Sequence, residues 1–426
     1  MSPHGRPKGE SRSAQHEGTR VSAGHGPFDV IVIGLGAMGA ATAWQLARRG
    51  ARVLGLDSHA PPHAMGSSHG ATRITRLAVG EGPEYVPLVR RSHAIWRELE
   101  SDGAAGLYDA VGGLVLGHGA HRSTLHGQGD FVARTIAIAH QFGIDHEVLD
   151  SQALRQRFPQ LGVSDGEQGY FESEAGLLRP ELCVQAQLVR AAALGAKLMT
   201  KQVVTHIERQ GDSVVVHTAT ARYTAAQAVL AAGNWTPALA GAPYDCALRV
   251  HRQVLHWFAA ERPADYAPGR FPVFIWAHGP QAEDAFYGFP IADAHGGVKV
   301  ATQQYAVACA PDELVRSSPP VEAATMHASH VQGRLRGVTA QRVHAAVCAY
   351  TVAPDSRFVI EAHPRIPALV VVSACSGHGF KHSAALGEAL AQRLTAGTSA
   401  IDLSAFALAA APAAARQGAS GAMPSA

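Results

Sequence analysis

The sequence has little cysteine and little charge. Its 426 residues include five cysteines, and only 16% of the residues are charged. The cysteines, at positions 183, 246, 309, 348 and 375, form neither a CxxC pair nor an even disulfide framework. This spacing disfavours a disulfide scaffold or a zinc site, so we expect no metal and a reducing compartment such as the cytoplasm.

The chain also lacks a strong charge of one sign and a long apolar run. A formal net charge of +2 gives no basic stripe that would favour nucleic acid or an anionic membrane as a partner. No stretch approaches the apolar length that a bilayer requires, and residues 1–27 lack a signal-peptide core. We therefore expect a globular protein that acts on small molecules, with 47% hydrophobic residues to fill its core.

The folded body opens with "FDVIVIGLGAMGAATAWQLARRGARVLGLDS", which reads as strand, turn, helix and strand. In the turn, Gly34 permits a sharp bend, Gly36 lets the backbone approach a pyrophosphate, and Gly39 lets the helix pack on the strand. The helix N-terminus attracts phosphates, and Asp57, which ends the second strand, is expected to accept hydrogen bonds from ribose hydroxyls. The unit predicts a dinucleotide site but does not separate FAD from NAD, because both carry an ADP half.

Two later segments have similar character. "ALVVVSACSGHGFKHSAALGEALAQRL" repeats the order strand, glycine-rich turn, helix near the C-terminus. "AVLAAGNW" (228–235) is an apolar strand that ends in a small-residue turn, either against the nucleotide or as an ordinary strand-to-helix turn. A nucleotide fold that is interrupted and completed late favours FAD, because a simple nicotinamide dehydrogenase tends to keep its nucleotide domain contiguous.

The expected fold class is α/β, with a Rossmann-type FAD-binding domain and a second, largely antiparallel β domain for the substrate. The FAD-binding domain is expected to comprise residues 28–110, 160–243 and 340–408. The substrate domain is expected to comprise residues 111–159 and 244–339, where strand signals and aromatics are frequent. We expect disordered tails at residues 1–27 and 409–426.

Five blocks occur in order along the body: "VIGLGAMG", "PPHAMGSSHGATRITRLAVGEGPEYVPL", "YGFP", "VCAYT" and "SGHGFKHSAALGE". Through them the sequence resembles the monomeric sarcosine oxidases and N-methyltryptophan oxidases, within the D-amino-acid-oxidase-like flavoproteins. The resemblance covers nearly the whole body, and it implies covalent FAD, held by a thioether from Cys348 to the flavin 8α-methyl. Without it, a cysteine in an apolar strand would be read as a small buried hydrophobe.

The resemblance also implies residue roles. Residues expected to contact FAD are Gly34, Gly36, Gly39, Asp57, Ser68, Arg73, Val203, Gly233, Cys348, Gly377, His378, Gly379 and Lys381. Arg76 and Lys381 are expected to bind the substrate carboxylate, which a guanidinium can do through two parallel hydrogen bonds. Tyr287 and Tyr350 would line the substrate pocket, and Lys299 would promote the reaction with oxygen. Without the resemblance, the arginines and lysines would be read as solvated side chains and the two tyrosines as core residues.

One position departs from the family pattern. The family has a histidine four residues after the oxygen-activating lysine, whereas this sequence has Gln303. Glutamine forms hydrogen bonds but does not titrate near neutral pH. This replacement affects the expected identity of the substrate more than the expected reaction, and an N-methyl amino acid other than sarcosine becomes a candidate.

The expected activity is that of an FAD-dependent amine oxidase. It would oxidise the C–N bond of a secondary amino acid, sarcosine or another N-methyl amino acid, to an imine and reduce O2 to H2O2. The alternatives are a flavin dehydrogenase that passes electrons to an acceptor other than oxygen, and a module that holds the nucleotide as a structural ligand. The expected partners are a small amino acid and O2, and a monomer is compatible with the sequence.

Overall fold

The structure is a computed structural model that describes residues 22–23, 28–119 and 125–408. The tails expected at residues 1–27 and 409–426 lie outside the described residues, except for Ser22–Ala23, which form a short strand. No helix in the described part of the chain is long and apolar enough to cross a membrane.

Helices and strands alternate through the first half, and strands dominate residues 249–373. The helices of the described residues are α1 (Ala37–Arg48), α2 (Val86–Ser101), α3 (Phe131–Phe142), α4 (Ser151–Arg157), α5 (Pro180–Ala193), α6 (Thr236–Ala240), α7 (Tyr244–Ala247), α8 (Pro320–Met326) and α9 (Ser383–Ala396). The strands are β1 (Ser22–Ala23), β2 (Phe28–Ile33), β3 (Val53–Leu56), β4 (Arg73–Thr75), β5 (Tyr108–Asp109), β6 (Gly113–His118), β7 (Glu147–Leu149), β8 (Glu167–Glu172), β9 (Gly176–Leu178), β10 (Lys197–Met199), β11 (Val204–Gln210), β12 (Ser213–Thr218), β13 (Ala221–Leu230), β14 (Arg249–Ala260), β15 (Val273–Ala277), β16 (Ala285–Phe289), β17 (Val298–Ala301), β18 (Val338–Val352), β19 (Val359–His363) and β20 (Ile366–Ser373).

The first sheet holds the nucleotide-binding pattern. Its main order is β10-β3-β2-β13-β12-β11, with β1 and β20 also paired to β13 and β19 paired to β20. The pairs β2 with β3, β2 with β13, and β13 with β20 are parallel. The carboxyl ends of β2, β13 and β20 therefore reach one edge of the sheet, where open α/β sheets bind their ligands.

The second sheet has the order β18-β14-β17-β16-β15-β6-β8-β7 and is antiparallel apart from the pair β6 and β15. A small third sheet has the order β4-β9-β5. The expected α/β fold with a second, largely antiparallel sheet is confirmed. Strand β8 falls within the segment 160–243 and most of β18 within 340–408, yet both lie in the second sheet. The domain limits stay a prediction.

The two ends of the described body pack against each other through helices α1 and α9. At the contact, a Cβ atom added to Gly387 would lie 2.5 Å from the Cβ of Ala41, so the two helices approach too closely for a larger side chain. Ala384, Ala385 and Leu386 of α9 are buried in the same core as Ala40 and Ala43 of α1. This packing brings the glycine-rich turn before α9 beside the one before α1.

Candidate cofactor and substrate site

The turn between β2 and α1 has the geometry that its glycines predict. Gly34 has a φ of +87°, which a residue with a side chain rarely adopts. A Cβ on Gly39 would lie 1.7 Å from the carbonyl oxygen of Gly34, so helix and strand meet there only because the side chain is absent. A Cβ on Gly36 would meet only the Ser68 hydroxyl, at 3.5 Å, which leaves this backbone open for a ligand.

Asp57 follows β3 and borders the same turn, and we call this turn together with Asp57 the dinucleotide corner. Its Oδ2 accepts a hydrogen bond from the Leu35 N–H at 2.8 Å and its Oδ1 accepts one from the His59 N–H at 2.8 Å. Burial acts to raise the pKa of Asp57, but hydrogen bonds from His63 and from these two N–H groups bring it below its usual value. Asp57 is therefore an ionised acceptor at the edge of the cavity, as a ribose contact requires.

A single cavity of about 560 Å³ extends from this corner to the second sheet. The expected site residues on its wall are Gly34, Gly36, Asp57, Ser68, Arg73, Arg76, Val203, Gly233, Tyr287, Gln303, Tyr350, Gly377, His378, Gly379 and Lys381. Gly39, Lys299 and Cys348 are not on the wall. Glycine turns, an ionised ribose acceptor and a helix N-terminus on one cavity fit a dinucleotide such as FAD.

Ser68 lies in the long loop between β3 and β4, and Arg73 is the first residue of β4. The Ser68 hydroxyl accepts a hydrogen bond from the Ala37 N–H at 3.2 Å, at the first turn of α1. The Arg73 guanidinium donates to the backbone carbonyls of Ser67, His69 and Thr72 at 2.6–2.8 Å. Arg73 thereby holds the loop in place and brings a half-buried positive charge to the cavity.

Cys348 lies on β18 with no exposed surface. It packs with Leu255, Trp257 and Ala301 in the same small cluster as Tyr350. Burial raises the pKa of the Cys348 thiol, and the nearby charges of Arg73 and Lys299 act in the opposite direction.

The other cysteines lie in different environments. Cys183 is buried and Cys246 is exposed, whereas Cys375 is partly buried and lines the cavity. Cys375 is therefore a second thiol beside the expected cofactor position. It lies in the glycine-rich turn after β20, just ahead of Gly377.

Lys299, on β17, is buried beneath the same loop. Its Nζ donates to the Gly70 and Thr72 carbonyl oxygens at 2.7 and 2.8 Å and to the Thr72 hydroxyl at 3.0 Å. Three acceptors match the three donors of an ammonium group. Burial and the charge of Arg73 nevertheless lower the pKa of Lys299.

The two cations expected to bind a carboxylate come together around a carboxylate of the protein itself. Arg76 donates to Glu81 Oε2 at 2.6 Å and to the Ala78 carbonyl. Lys381 Nζ lies 3.7 Å from Glu81 Oε1 and donates to the His378 carbonyl at 2.7 Å. Burial acts to raise the pKa of Glu81, but Arg76, Lys381 and neighbouring histidines hold it well below its usual value.

The aromatic and amide residues complete the wall on the second sheet. The hydroxyls of Tyr287 and Tyr350 are 3.0 Å apart and share a hydrogen bond. Burial raises the pKa of Tyr287 to about 12, so this hydroxyl is neutral at ordinary pH. The amide nitrogen of Gln303 contacts Nε2 of His126.

Glu81 and His126 are cavity residues that the sequence analysis did not select. Glu81 follows Arg76 by five residues inside a block that carries the family resemblance, so its place near the arginine could have been noticed. His126 lies in a loop without a motif, and its contact with Gln303 spans 177 positions of the chain. No sequence pattern signals that contact.

Comparison with known proteins supports the same interpretation. Residues 29–393 match the family described as DAO, FAD dependent oxidoreductase. The monomeric sarcosine oxidase of Streptomyces avermitilis is 39% identical over 398 residues, covering 91% of this chain and 99% of that protein. The N-methyl-L-tryptophan oxidase of Salmonella arizonae is 33% identical, covering 89% of this chain and 98% of that protein. The resemblance inferred from the five blocks is confirmed.

Solved structures share the fold at lower sequence identity. NikD, described as an unusual amino acid oxidase essential for nikkomycin biosynthesis, superposes with a TM-score of 0.76 at 24% identity. The superposition covers 90% of this chain and 97% of NikD. The glycine oxidase of Geobacillus kaustophilus superposes with a TM-score of 0.69 at 19% identity, covering 90% of this chain and 98% of that one. At these identities the likeness shows the fold alone.

Proposed function

The chain belongs to the DAO family of FAD-dependent oxidoreductases, and from this premise we propose that it oxidises the C–N bond of a secondary amino acid. The substrate is sarcosine or another N-methyl amino acid, and the product is an imine that hydrolyses in water. The observation that carries the proposal is the buried pair of cations, Arg76 and Lys381, on the cavity that also holds the dinucleotide corner. Relatives named for N-methyl amino acid substrates support it.

The substrate carboxylate is expected to bind at Arg76 and Lys381. These side chains face one carboxylate, that of Glu81, so the cluster carries one excess positive charge when Lys381 is protonated. A second carboxylate from the substrate balances that charge. In a buried site the attraction is stronger than in water, because little solvent screens it.

The amino group and the carbon to be oxidised then extend toward Tyr287 and Tyr350. Their paired hydroxyls are neutral, so they offer polar contact without competing for the carboxylate site. When bound, FAD would supply the redox chemistry: two electrons and one hydrogen would leave the substrate carbon, a proton would leave its amine, and O2 would be reduced to H2O2. The protein's part is to bind and orient the substrate beside the cofactor.

We propose that Lys299 and Arg73 supply the positive field for the oxygen step. Both side chains donate to the same Thr72 carbonyl oxygen, each at 2.8 Å, so the half-buried guanidinium of Arg73 and the buried amino group of Lys299 converge on one point of the loop. A fixed cation stabilises negative charge that develops on oxygen as electrons arrive. Lys299 also lies 4.4 Å above the ring of Phe289, which restricts its position.

The FAD attachment is proposed to be the thioether of Cys348. In its formation an S–C bond would replace the thiol S–H and one C–H bond of the flavin methyl, and two electrons and two hydrogens would pass to O2. Arg73 and Lys299 favour the thiolate that this reaction needs, although burial opposes it.

The five free cysteines support a reducing compartment such as the cytoplasm, and relatives named as monomeric support a monomer.

An anaerobic reduction experiment tests the proposed function. Purified yellow protein is mixed without oxygen with sarcosine and a series of larger N-methyl amino acids, and the flavin absorption is followed. We expect bleaching by at least one member, then return of the colour and formation of H2O2 when O2 is admitted. A protein that no member bleaches would contradict the proposal.

The same experiment on Lys299→Met examines the oxygen step. Bleaching by substrate should proceed as in the wild type, which also shows that the variant is folded. Return of the colour should be slower by about 10²-fold, the usual effect of removing one electrostatic stabiliser. An unchanged oxygen rate would remove this role from Lys299.

A further inference from the structure

His126 is held in an unusual position on the cavity wall. Leu125 and Gln128 exchange two backbone hydrogen bonds of 2.9 Å, which leaves His126 and Gly127 as the central residues of a tight turn. Both have positive φ, 50° and 73°, the pattern of a type I′ turn. His126 is only 7% exposed, so the turn delivers its imidazole into the interior of the site.

Both ring nitrogens of His126 lie close to a cavity residue. Nδ1 lies 3.1 Å from Glu81 Oε1, an ion-pair distance at which the two atoms do not meet hydrogen-bond geometry, and Nε2 contacts the amide nitrogen of Gln303. Burial lowers the pKa of His126 while Glu81 opposes the shift, so the ring carries a single N–H near neutral pH. A carboxylate accepts but does not donate, so the proton belongs on Nδ1, and Nε2 is left to accept from the amide of Gln303.

This order of donors fixes the orientation of the Gln303 amide. The amide nitrogen faces Nε2 of His126, so the amide oxygen points away from His126. Among the described residues, no hydrogen bond to that oxygen is present, although Gln303 lines the cavity. The amide oxygen is therefore an acceptor that is available to a ligand.

The neighbouring groups leave His126 no direct part in proton transfer. Arg76, Lys381 and His378 surround the same carboxylate, and the ring of His378 lies 4.9 Å from that of His126. The positive charges of Arg76 and Lys381 disfavour a second proton on the imidazole. Since the Nε2 lone pair is already used by Gln303, the imidazole acts through the amide rather than as a base.

We propose that His126 is a positioning residue, oriented by Glu81, that turns the Gln303 amide so that its oxygen accepts a hydrogen bond from the substrate amine N–H. The inference rests on the proposed function and specifies how the site recognises the amine. The series of contacts from Glu81 through His126 to Gln303 selects ligands that carry an N–H beside their carboxylate. Arg76 and Lys381 bind the carboxylate independently of these contacts.

The test compares two ligands that differ at one atom. The dissociation constant of sarcosine, or of a larger N-methyl amino acid that bleaches the flavin faster, comes from the concentration dependence of anaerobic bleaching. The constant of (methylthio)acetate, whose sulfur cannot donate a hydrogen bond, comes from its effect on the flavin spectrum. His126→Leu should weaken binding of the amine ligand by about tenfold, the usual effect of one lost hydrogen bond, and leave binding of the thioether unchanged.

Three further variants separate positioning from packing. His126→Asn, whose amide can donate to Glu81 and accept from Gln303, should restore part of the amine affinity. Gln303→Leu should weaken binding of the amine ligand as much as His126→Leu does. The double variant, His126→Leu with Gln303→Leu, should bind this ligand no more weakly than Gln303→Leu alone, because one residue acts through the other. Arg76→Met should weaken both ligands.

Equal losses for both ligands in His126→Leu, or additive losses in the double variant, would overturn this inference while leaving the proposed function intact. A wild-type flavin that no N-methyl amino acid bleaches would instead overturn the proposed function. The two failures are therefore distinguishable in one set of measurements.

Discussion

Lys381 shows at the scale of one residue how burial sets the chemistry of the site. Its Nζ is almost inaccessible to water, and burial lowers its pKa to about 7, with Glu81 acting to raise it and Arg76 to lower it further. An ordinary lysine stays charged far above this pH. The positive charge of Lys381, the second cation of the proposed carboxylate site, is thus present only on the acid side of a pH close to neutral.

We predict that carboxylate affinity of the free site falls as the pH rises through about 7. Below that pH, Lys381 is protonated and attracts the ligand. Above it the lysine becomes neutral, and the dissociation constant should rise by up to about tenfold per pH unit until the pKa of the complex is reached. Titration of the flavin absorption with (methylthio)acetate between pH 6 and 9 measures this, because that ligand has no amine to titrate.

Lys381→Met is the matched control, since it keeps the length of the side chain and removes the charge. Its affinity should be weak and flat across the same pH range. A sloping profile that survives in this variant would assign the titration to another group. A flat profile in the wild type would mean that Lys381 stays protonated in the holoenzyme.

At the scale of elements, the site depends on a strand, glycine turn and helix that occur twice. A Cβ on Gly39 would lie 1.7 Å from the Gly34 carbonyl oxygen, and a Cβ on Gly379 would lie 1.7 Å from the Ala374 carbonyl oxygen. In both turns the start of the following helix rests on the backbone at the strand end. The missing side chain is a requirement of packing rather than of ligand contact.

Alanine substitutions at Gly36 and Gly39 are therefore expected to have different effects. Gly39→Ala should lower the free energy of unfolding by about 3 kcal/mol, as overpacking of a close contact does. Gly36→Ala should change stability by less than about 1 kcal/mol, because its Cβ has room in the structure, but should lower the FAD content of the purified protein. Denaturant unfolding and the ratio of flavin to protein absorbance measure the two effects.

Gly129→Ala serves as the control, because a Cβ there meets nothing within 4 Å. It should change neither quantity. Equal loss of stability in the Gly36 and Gly39 variants would contradict the division between packing and ligand approach.

Elements that are continuous in sequence were predictable, and contacts between distant elements were not. The sequence predicts helices near residues 83–100 and at residues 130–142, where the structure has α2, Val86–Ser101, and α3, Phe131–Phe142. Both follow from local apolar periodicity. The contact of His126 with Gln303 joins a turn to a segment 177 positions away, and it depends on how the whole fold closes.

At the scale of the whole molecule, the cavity joins two sheets. The first sheet supplies the glycine turns and Asp57, and β18 of the second sheet carries Cys348 and Tyr350. The proposed thioether at Cys348 would link the flavin end of FAD to the second sheet, while the first sheet would hold the nucleotide end. The cofactor would then be a covalent part of the molecule that spans both sheets.

Acid precipitation tests this link. The yellow colour should stay in the wild-type pellet and pass into the supernatant for Cys348→Ser. In that variant FAD binds reversibly, so its melting temperature should rise with added FAD, by an amount equivalent to about 2.7 kcal/mol at a hundredfold excess over the dissociation constant. Cys375→Ser is the control, because Cys375 lines the cavity whereas Cys348 does not. Colour retained by Cys348→Ser and lost from Cys375→Ser would move the attachment to the turn after β20 and confine the cofactor's covalent link to the first sheet.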